Sequence, residues 1–230
     1  MIRVSGLQEQ IAAGVTQRTP DGMTPAEQLV AIQDALTPQL EAHTQCLLDD
    51  VIPQLAAQGI RLLNYSDLTP AQKAAMRRYY EREIFPVLTP LAFDPAHPFP
   101  RISNLSMNLA VLIRDPEYGE RFARIKVPPS LNRLIPLHEI APLTRAQNGA
   151  APYPQRSVAY VWIEQIIAAN LADLFVGMDV IAVYPFRIVR DTDVEIQEDE
   201  ADDLLVTIER TIREHRFGMA RLREQADRRG

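Results

Sequence analysis

Histidine, cysteine, arginine groups and one carboxylate run are the side chains in this 230-residue chain whose types and spacing could do chemistry. The four histidines are His43, His97, His138 and His215. No two histidines stand at metal-ligand spacing, and His43 has Cys46 three residues on, on the same expected helix. Two ligands make half of a tetrahedral site, and no further pair completes it, so no metal site is assigned. His97 lies in "DPAHPFP" with Asp94 beside it. Nucleophilic catalysis by histidine needs a cationic setting and a partner that orients the ring. This segment supplies no such setting, and a structural role is expected, the ring satisfied by a local backbone or carboxylate group. The nine glycines are scattered and form no phosphate-cradling loop. No serine sits in a nucleophile elbow. No catalytic, cofactor-binding or metal-ligating residue is therefore assigned to this chain.

The charged groups are more suggestive. "DTDVEIQEDEADD", residues 191–203, holds eight carboxylates but lacks the glycine and the ligand spacing of a calcium loop. Acids gathered at a helix N-terminus, where they favour the dipole, are the better reading. Arginines recur as Arg77, Arg78 and Arg82, as Arg187 and Arg190, and as Arg210, Arg213, Arg216, Arg221, Arg223, Arg228 and Arg229. Guanidinium groups of this kind grip polyanions through bidentate hydrogen bonds. Glu209, Glu214 and Glu224 interleave the last group and favour a solvated face there. The candidate polyanion contacts are Arg77, Arg78, Arg187, Arg190 and Arg221.

The rest of the composition sets bounds. A net charge of −6 excludes a wholesale electrostatic trap for nucleic acid, and no nucleic-acid partner is expected. The single cysteine excludes an internal disulfide and fits a reducing cytoplasm. No run of about 18 apolar residues appears, so no transmembrane segment is expected. The start, "MIRVSGLQEQ", lacks the apolar stretch of a secretory signal.

The elements that must position these side chains divide into two styles. Residues 2 to 13 read as a short helix that begins uncapped, which suggests that the natural chain extends upstream. Thr24 as N-cap, Pro25 at the first helical position and Glu27 three residues beyond the cap start a long helix, expected to run from Pro25 to about Gln58. Leu29, Ile32, Leu36, Leu40, Leu47 and Val51 lie on one stripe of it, Pro38 and Pro53 predict a kink or break, and Gly59 supplies the stop. "IRLLN" (60–64) reads as a strand. Thr69 and Pro70 repeat the start grammar, and this second helix is expected to end where Phe85 precedes Pro86. "FPVLTPLAFDPAHPFPRISN" (85–104) carries Pro86, Pro90, Pro95, Pro98 and Pro100. It is too apolar for a linker, and reads as a rigid connecting coil anchored by Phe85, Phe93 and Phe99. Beyond it the period moves toward two. Strands are expected at 105–113, 122–127, 133–137 and 180–189, with "RDPEYGE" joining the first two as a hairpin. "VAYVWIEQIIAANLADLFVG" passes from strand to helix and stops at Gly177. An exposed loop is expected at 144–157, a helix at 198–215 and a last strand at "GMARL". The fold class is α+β: a helical N-terminal piece, residues 1–58, followed by a mixed-sheet head domain with packed helices, residues 59–230.

Several segments together resemble the bacterial polyphosphate kinases that make inorganic polyphosphate from ATP. "MIRVSGLQEQIAAGV" is similar to the end of their helical N-terminal domain. "FPVLTPLAFDPAHPFPRISNLSMNLAV", "IEQIIAANLADLFVG" and "YPFRIVRDTDVEIQEDEADDLLVTIE" resemble successive parts of their head domain, and "RFGMARL" resembles its passage to the catalytic half. The resemblance runs in order along nearly the whole chain. It implies reversible transfer of the ATP γ-phosphate to polyphosphate through a phosphohistidine, with magnesium assisting. It places the nucleophilic histidine and most of the nucleotide pocket in C-terminal domains whose motifs this chain does not contain, and an adenine-side asparagine in a segment upstream of "MIRVSGL". ATP and Mg2+ are thus implied for a full-length parent and none for this fragment. A homodimer is expected through the head domain, with the missing catalytic domains as further partners and polyphosphate as an optional one, in the cytoplasm, either free or membrane-associated. The alternative is a non-catalytic module that binds polyphosphate or a protein.

Overall fold

The computed structural model describes residues 2–92, 103–144 and 157–187. These fall into two compact units: residues 2–62 with 143–144 and 157–159, and residues 63–92 with 103–142 and 160–187. Helices and mixed sheets make this an α+β fold. The connector at 93–102, with His97, Phe93 and Phe99, the loop at 145–156, the carboxylate run, the expected helix at 198–215 and "GMARL" lie outside the described residues.

In the first unit α1 (Ile2–Ala12) packs on α2 (Pro25–Gln45). The expected cap of α2 forms in both directions: the Glu27 N–H donates to Thr24 Oγ1 over 3.3 Å, and the Thr24 N–H donates to Glu27 Oε2 over 2.8 Å. Arg3 Nη2 donates to the buried Gln28 Oε1 over 2.7 Å, and Gln28 Nε2 donates to Thr19 Oγ1. These bonds tie α1 and the intervening turn to the start of α2.

The helix does not break at Pro38, which stays inside α2. The departure comes later, as a π-helical turn over Cys46–Val51, before α3 (Ile52–Ala57). Pro53 sits in the first turn of α3 and has no N–H for the carbonyl of Asp49. The wider π turn gives that carbonyl room from the proline ring. Along the predicted stripe Leu36, Leu40, Leu47 and Val51 stand exposed among the described residues, whereas Leu7 is buried. Gly59, in the left-handed region at φ 82°, ends the run and accepts from Val158 N–H at 2.9 Å beside β1 (Ile60–Leu63).

The second unit opens with α4 (Pro70–Tyr79), again closed by a full capping box, here with Gln72 as the reciprocal partner of Thr69. The amide Nε2 of the same Gln72 donates to the Pro142 carbonyl at 2.9 Å. Helical backbone continues past the expected stop, through a π turn at Tyr80–Ile84 and a 3-10 turn at Phe85–Val87 that contains Pro86. A proline is tolerated at the start of a new turn, where its missing N–H would have no partner. Met76, Tyr80 and Ile84, four residues apart, are wholly buried and form the inward face. Part of the proline-rich segment is not coil: β2 (Pro90–Ala92) is an edge strand.

The main sheet is antiparallel in the order β2-β4-β3-β7, with β3 at Met107–Asp115, β4 at Gly119–Lys126 and β7 at Asp179–Arg187. The predicted hairpin joins β3 and β4. Its Asp115 Oδ1 accepts from the N–H groups of Glu117 and Tyr118 at 2.8 and 3.2 Å, and Gly119 takes the left-handed conformation at φ 78° that closes the turn. Leu109 to Ile113 are all buried, so β3 is covered on both faces and does not alternate. A bulge between Leu112 and Ile113 shifts its register against β7.

β5 (Leu134–Pro136) pairs with β6 (Val158–Trp162) and runs into the short α5 (Leu137–Ile140). α6 (Ile163–Ala169) buries Ile163, Ile166 and Ile167. Gln165 on α6 accepts from the Tyr65 N–H at 2.8 Å and donates to Asn64 Oδ1 at 3.2 Å, which fixes α6 against the turn that precedes α4.

Candidate functional site

The antiparallel register gathers basic side chains at one end of the main sheet. Lys126 closes β4 opposite Asn108, and Arg187 closes β7 opposite Met107, so both flank the start of β3. The turn before β3, Ser103 to Ser106, faces them across a groove of about 440 Å³ that is also lined by Pro128, Leu131 and Arg133. No carboxylate lines it among the described residues. Lys126 Nζ donates to Ser103 Oγ at 3.2 Å, which leaves the Ser103 hydroxyl hydrogen and further ammonium hydrogens free to donate. Neither Lys126 nor Arg187 has a carboxylate partner among the described residues.

The turn is rigidly built. Ser106 Oγ donates to the Ser103 carbonyl at 2.7 Å, and the buried Asn108 Nδ2 donates to the Ser106 carbonyl at 2.9 Å and to its Oγ at 3.0 Å. Leu105 has φ 59° and is the one non-glycine residue with positive φ among the described residues. A branched aliphatic side chain in the left-handed region costs on the order of 1–3 kcal/mol, and such strain persists only where the surroundings over-determine it.

Arg133 forms the far wall. Its Nε and Nη2 donate to Glu164 Oε1 at 3.1 and 2.7 Å, and its guanidinium lies 4.8 Å over the Trp162 ring. Glu164 is buried, so Arg133 is held in place while its own charge is compensated. The groove holds no histidine, no cysteine and no carboxylate that could act as nucleophile or base among the described residues. Its chemistry is the binding of anions by charge-assisted hydrogen bonds.

The sequence-predicted arginines separate. Arg187 lines the groove. Arg77 lies elsewhere on α4 and is fully engaged: Nε with Glu81 at 2.7 Å, Nη2 with Asp173 at 2.7 Å, Nη1 with Asn170 Oδ1 at 2.9 Å, with the guanidinium over the Tyr80 ring. Hydrogen bonds donated to Glu81 first and Asp173 second raise its pKa further above the ordinary value. These bonds clamp α4 to the turn after α6. Arg78 is exposed beside it, and Arg190 and Arg221 lie outside the described residues. Ser103, Lys126 and Arg133 escape a reading of arginine clusters because they are far apart in sequence. The available signal is the polar "SNLS" turn before one strand and a lysine before the paired prolines at the end of the next.

The family model described as "Polyphosphate kinase middle domain" matches residues 71–227. The chain belongs to the polyphosphate kinase family. The family's N-terminal domain matches residues 1–63. Polyphosphate kinase 1 of Chlorobaculum tepidum is 45% identical over 219 residues, 95% of this chain and 30% of the relative. The polyphosphate kinase of Thermosynechococcus vestitus is 46% identical over 95% of this chain and 29% of its own length. Among solved structures, that of polyphosphate kinase from Porphyromonas gingivalis matches with a TM-score of 0.64 and 26% identity, covering 85% of this chain and 27% of that one. The chain thus spans about 30% of the length of the curated relatives it matches. Among the described residues no helix is long and apolar enough to cross a membrane.

Proposed function

We propose that this chain is the N-terminal and middle portion of an enzyme that reversibly transfers the γ-phosphate of ATP to inorganic polyphosphate through a phosphohistidine, with Mg2+ assisting. The observation that carries the reading is the ordered match of both polyphosphate kinase domain families along a chain that spans under a third of its relatives. In this reading the catalytic histidines lie outside these residues. The portion described here holds the enzyme together and contributes to a homodimer. It works in the cytoplasm, with any membrane association peripheral, and that placement rests on family membership alone.

Incubation with radiolabelled ATP and Mg2+ tests the division of labour. The expected result is no acid-labile, base-stable phosphate on this chain and a labelled histidine on the parent. Phosphohistidine on this chain alone would overturn the assignment of the chemistry to the remainder. Sedimentation tests the dimer: a species of twice 25.9 kDa is expected, and a monomer across the accessible concentration range refutes pairing through this portion. The groove, which no carboxylate lines among the described residues, favours a second reading, a module that binds polyphosphate without a catalytic half. A parent reading frame without further histidine-bearing domains would select it.

A further inference from the structure

We infer that the groove between the Ser103–Ser106 turn and the ends of β4 and β7 binds a linear condensed phosphate, with Lys126, Arg187 and the Ser103 hydroxyl as its contacts. The ligand class rests on the polyphosphate kinase reading, whereas the site itself rests on geometry. Lys126 and Arg187, neither with a carboxylate partner among the described residues, both line one groove, and no carboxylate lines it among those residues. An anion with repeated negative charge gains most from such an array, because each charge-assisted bond to a phosphoryl oxygen adds to the next.

The architecture around the cations has the features of a site. The turn that supplies Ser103 is braced by Asn108 and Ser106 and carries strained backbone at Leu105, which stands exposed. Strain of this kind persists where the surroundings hold a side chain or a backbone group in one position, and it clusters at ligand-binding sites. Lys126 already donates to Ser103 Oγ, so the serine hydroxyl hydrogen is aimed away from the ammonium group and remains for a ligand oxygen. Arg133, neutralised by Glu164 and stacked on Trp162, bounds the groove without adding net charge. The groove binds, and performs no covalent step.

The test titrates this chain calorimetrically with medium-chain sodium polyphosphate, ATP and orthophosphate at low and physiological salt. The variants are K126Q/R187Q, S103A and, as a control that removes an exposed positive charge outside the groove lining, R82Q. Circular dichroism and thermal unfolding show that each variant is folded. Both long side chains end strands at the surface, and glutamine keeps much of their length. Binding of polyphosphate that survives physiological salt, at least tenfold weaker in K126Q/R187Q and unchanged in R82Q, is the expected result. The slope of log K against log salt should also fall by about two in the double variant, about one for each phosphate contact removed. Equal loss in R82Q, no loss in K126Q/R187Q, or no binding by the unaltered chain overturns the site. ATP binding as tight as polyphosphate overturns the choice of ligand and assigns the groove to a nucleotide triphosphate. Failure here is distinct from failure of the family activity: a parent that makes polyphosphate while its groove variants bind normally refutes only the groove. Lost binding in the groove variants of an inactive parent refutes only the kinase reading.

Discussion

Replacing Tyr80 by phenylalanine should invert a stability ranking at alkaline pH. Tyr80 is wholly buried at the end of α4, and burial first, with the Asp173 carboxylate second, pushes its pKa from 10.0 up to about 12. Below pH 10 the folded and unfolded chains both hold the phenol proton, and the residue adds no pH dependence. Between pH 10 and 12 the unfolded chain releases the proton while the folded chain keeps it, so stability falls as pH rises. At roughly 1.4 kcal/mol per unit, the two-unit gap removes on the order of 2–3 kcal/mol by pH 12. Phenylalanine has no proton to lose. Its cost is the bond from Tyr80 Oη to the Asn170 carbonyl, which is long at 3.4 Å, so a loss of about 0.5–1 kcal/mol is expected at neutral pH. The variant should be less stable than the unaltered protein up to about pH 10 and more stable by about pH 11. Urea unfolding of both proteins at matched temperature, from neutral pH to about pH 11.5, reads the difference directly, because titrations common to both cancel. A gap that stays constant over that range would refute the buried-phenol argument.

Other consequences are local. Met76→Ala should cost about 2–5 kcal/mol, because its side chain is wholly enclosed, whereas Leu40→Ala, 56% exposed, should stay within about 0.5 kcal/mol; denaturant midpoints separate the two. Thr69→Ala removes one half of a capping box whose other half also reaches Pro142, and should lower stability by about 1 kcal/mol in thermal unfolding. Gly6→Ala, inside α1 with open space around the added carbon, should stabilise by up to about 1 kcal/mol, and Gly119→Ala, at φ 78° in the hairpin, should destabilise by about 1–2 kcal/mol. Equal signs for the two glycine variants in the same melting assay would contradict their backbone assignments.

The cap grammar of Thr24 and Thr69 was legible because its signals are local: a hydroxyl, a proline and an acid or amide three residues on. The hairpin was legible for the same reason, though its strands extend further into "RDPEYGE" than the apolar run suggested. Proline was the weak point. A single turn of π or 3-10 helix absorbs what periodicity reads as an interruption, so the runs continue through Pro53 and through Pro86, and Pro38 stays within α2 without one. The two-sided burial of β3 depends on what the chain packs against it, and no alternation in "LSMNLAVLI" announces it. The groove was half legible. Arg187 stood out as one of a pair of arginines, but its nearness to Lys126 and Ser103 is set by strand register, which single-sequence spacing does not encode.

The order β2-β4-β3-β7 also decides how this sheet meets other chains. A free edge is a template on which a second backbone can add a strand. Among the described residues one edge strand is three residues long and begins with Pro90, and the other carries Pro185 and is itself bulged at Ile181. Proline removes a donor from the row that an incoming strand would pair with, and the bulge twists the edge out of plane. The sheet is therefore a poor seed for fibrous stacking, and a copy that docks on this unit does so through side chains rather than by extending the ladder.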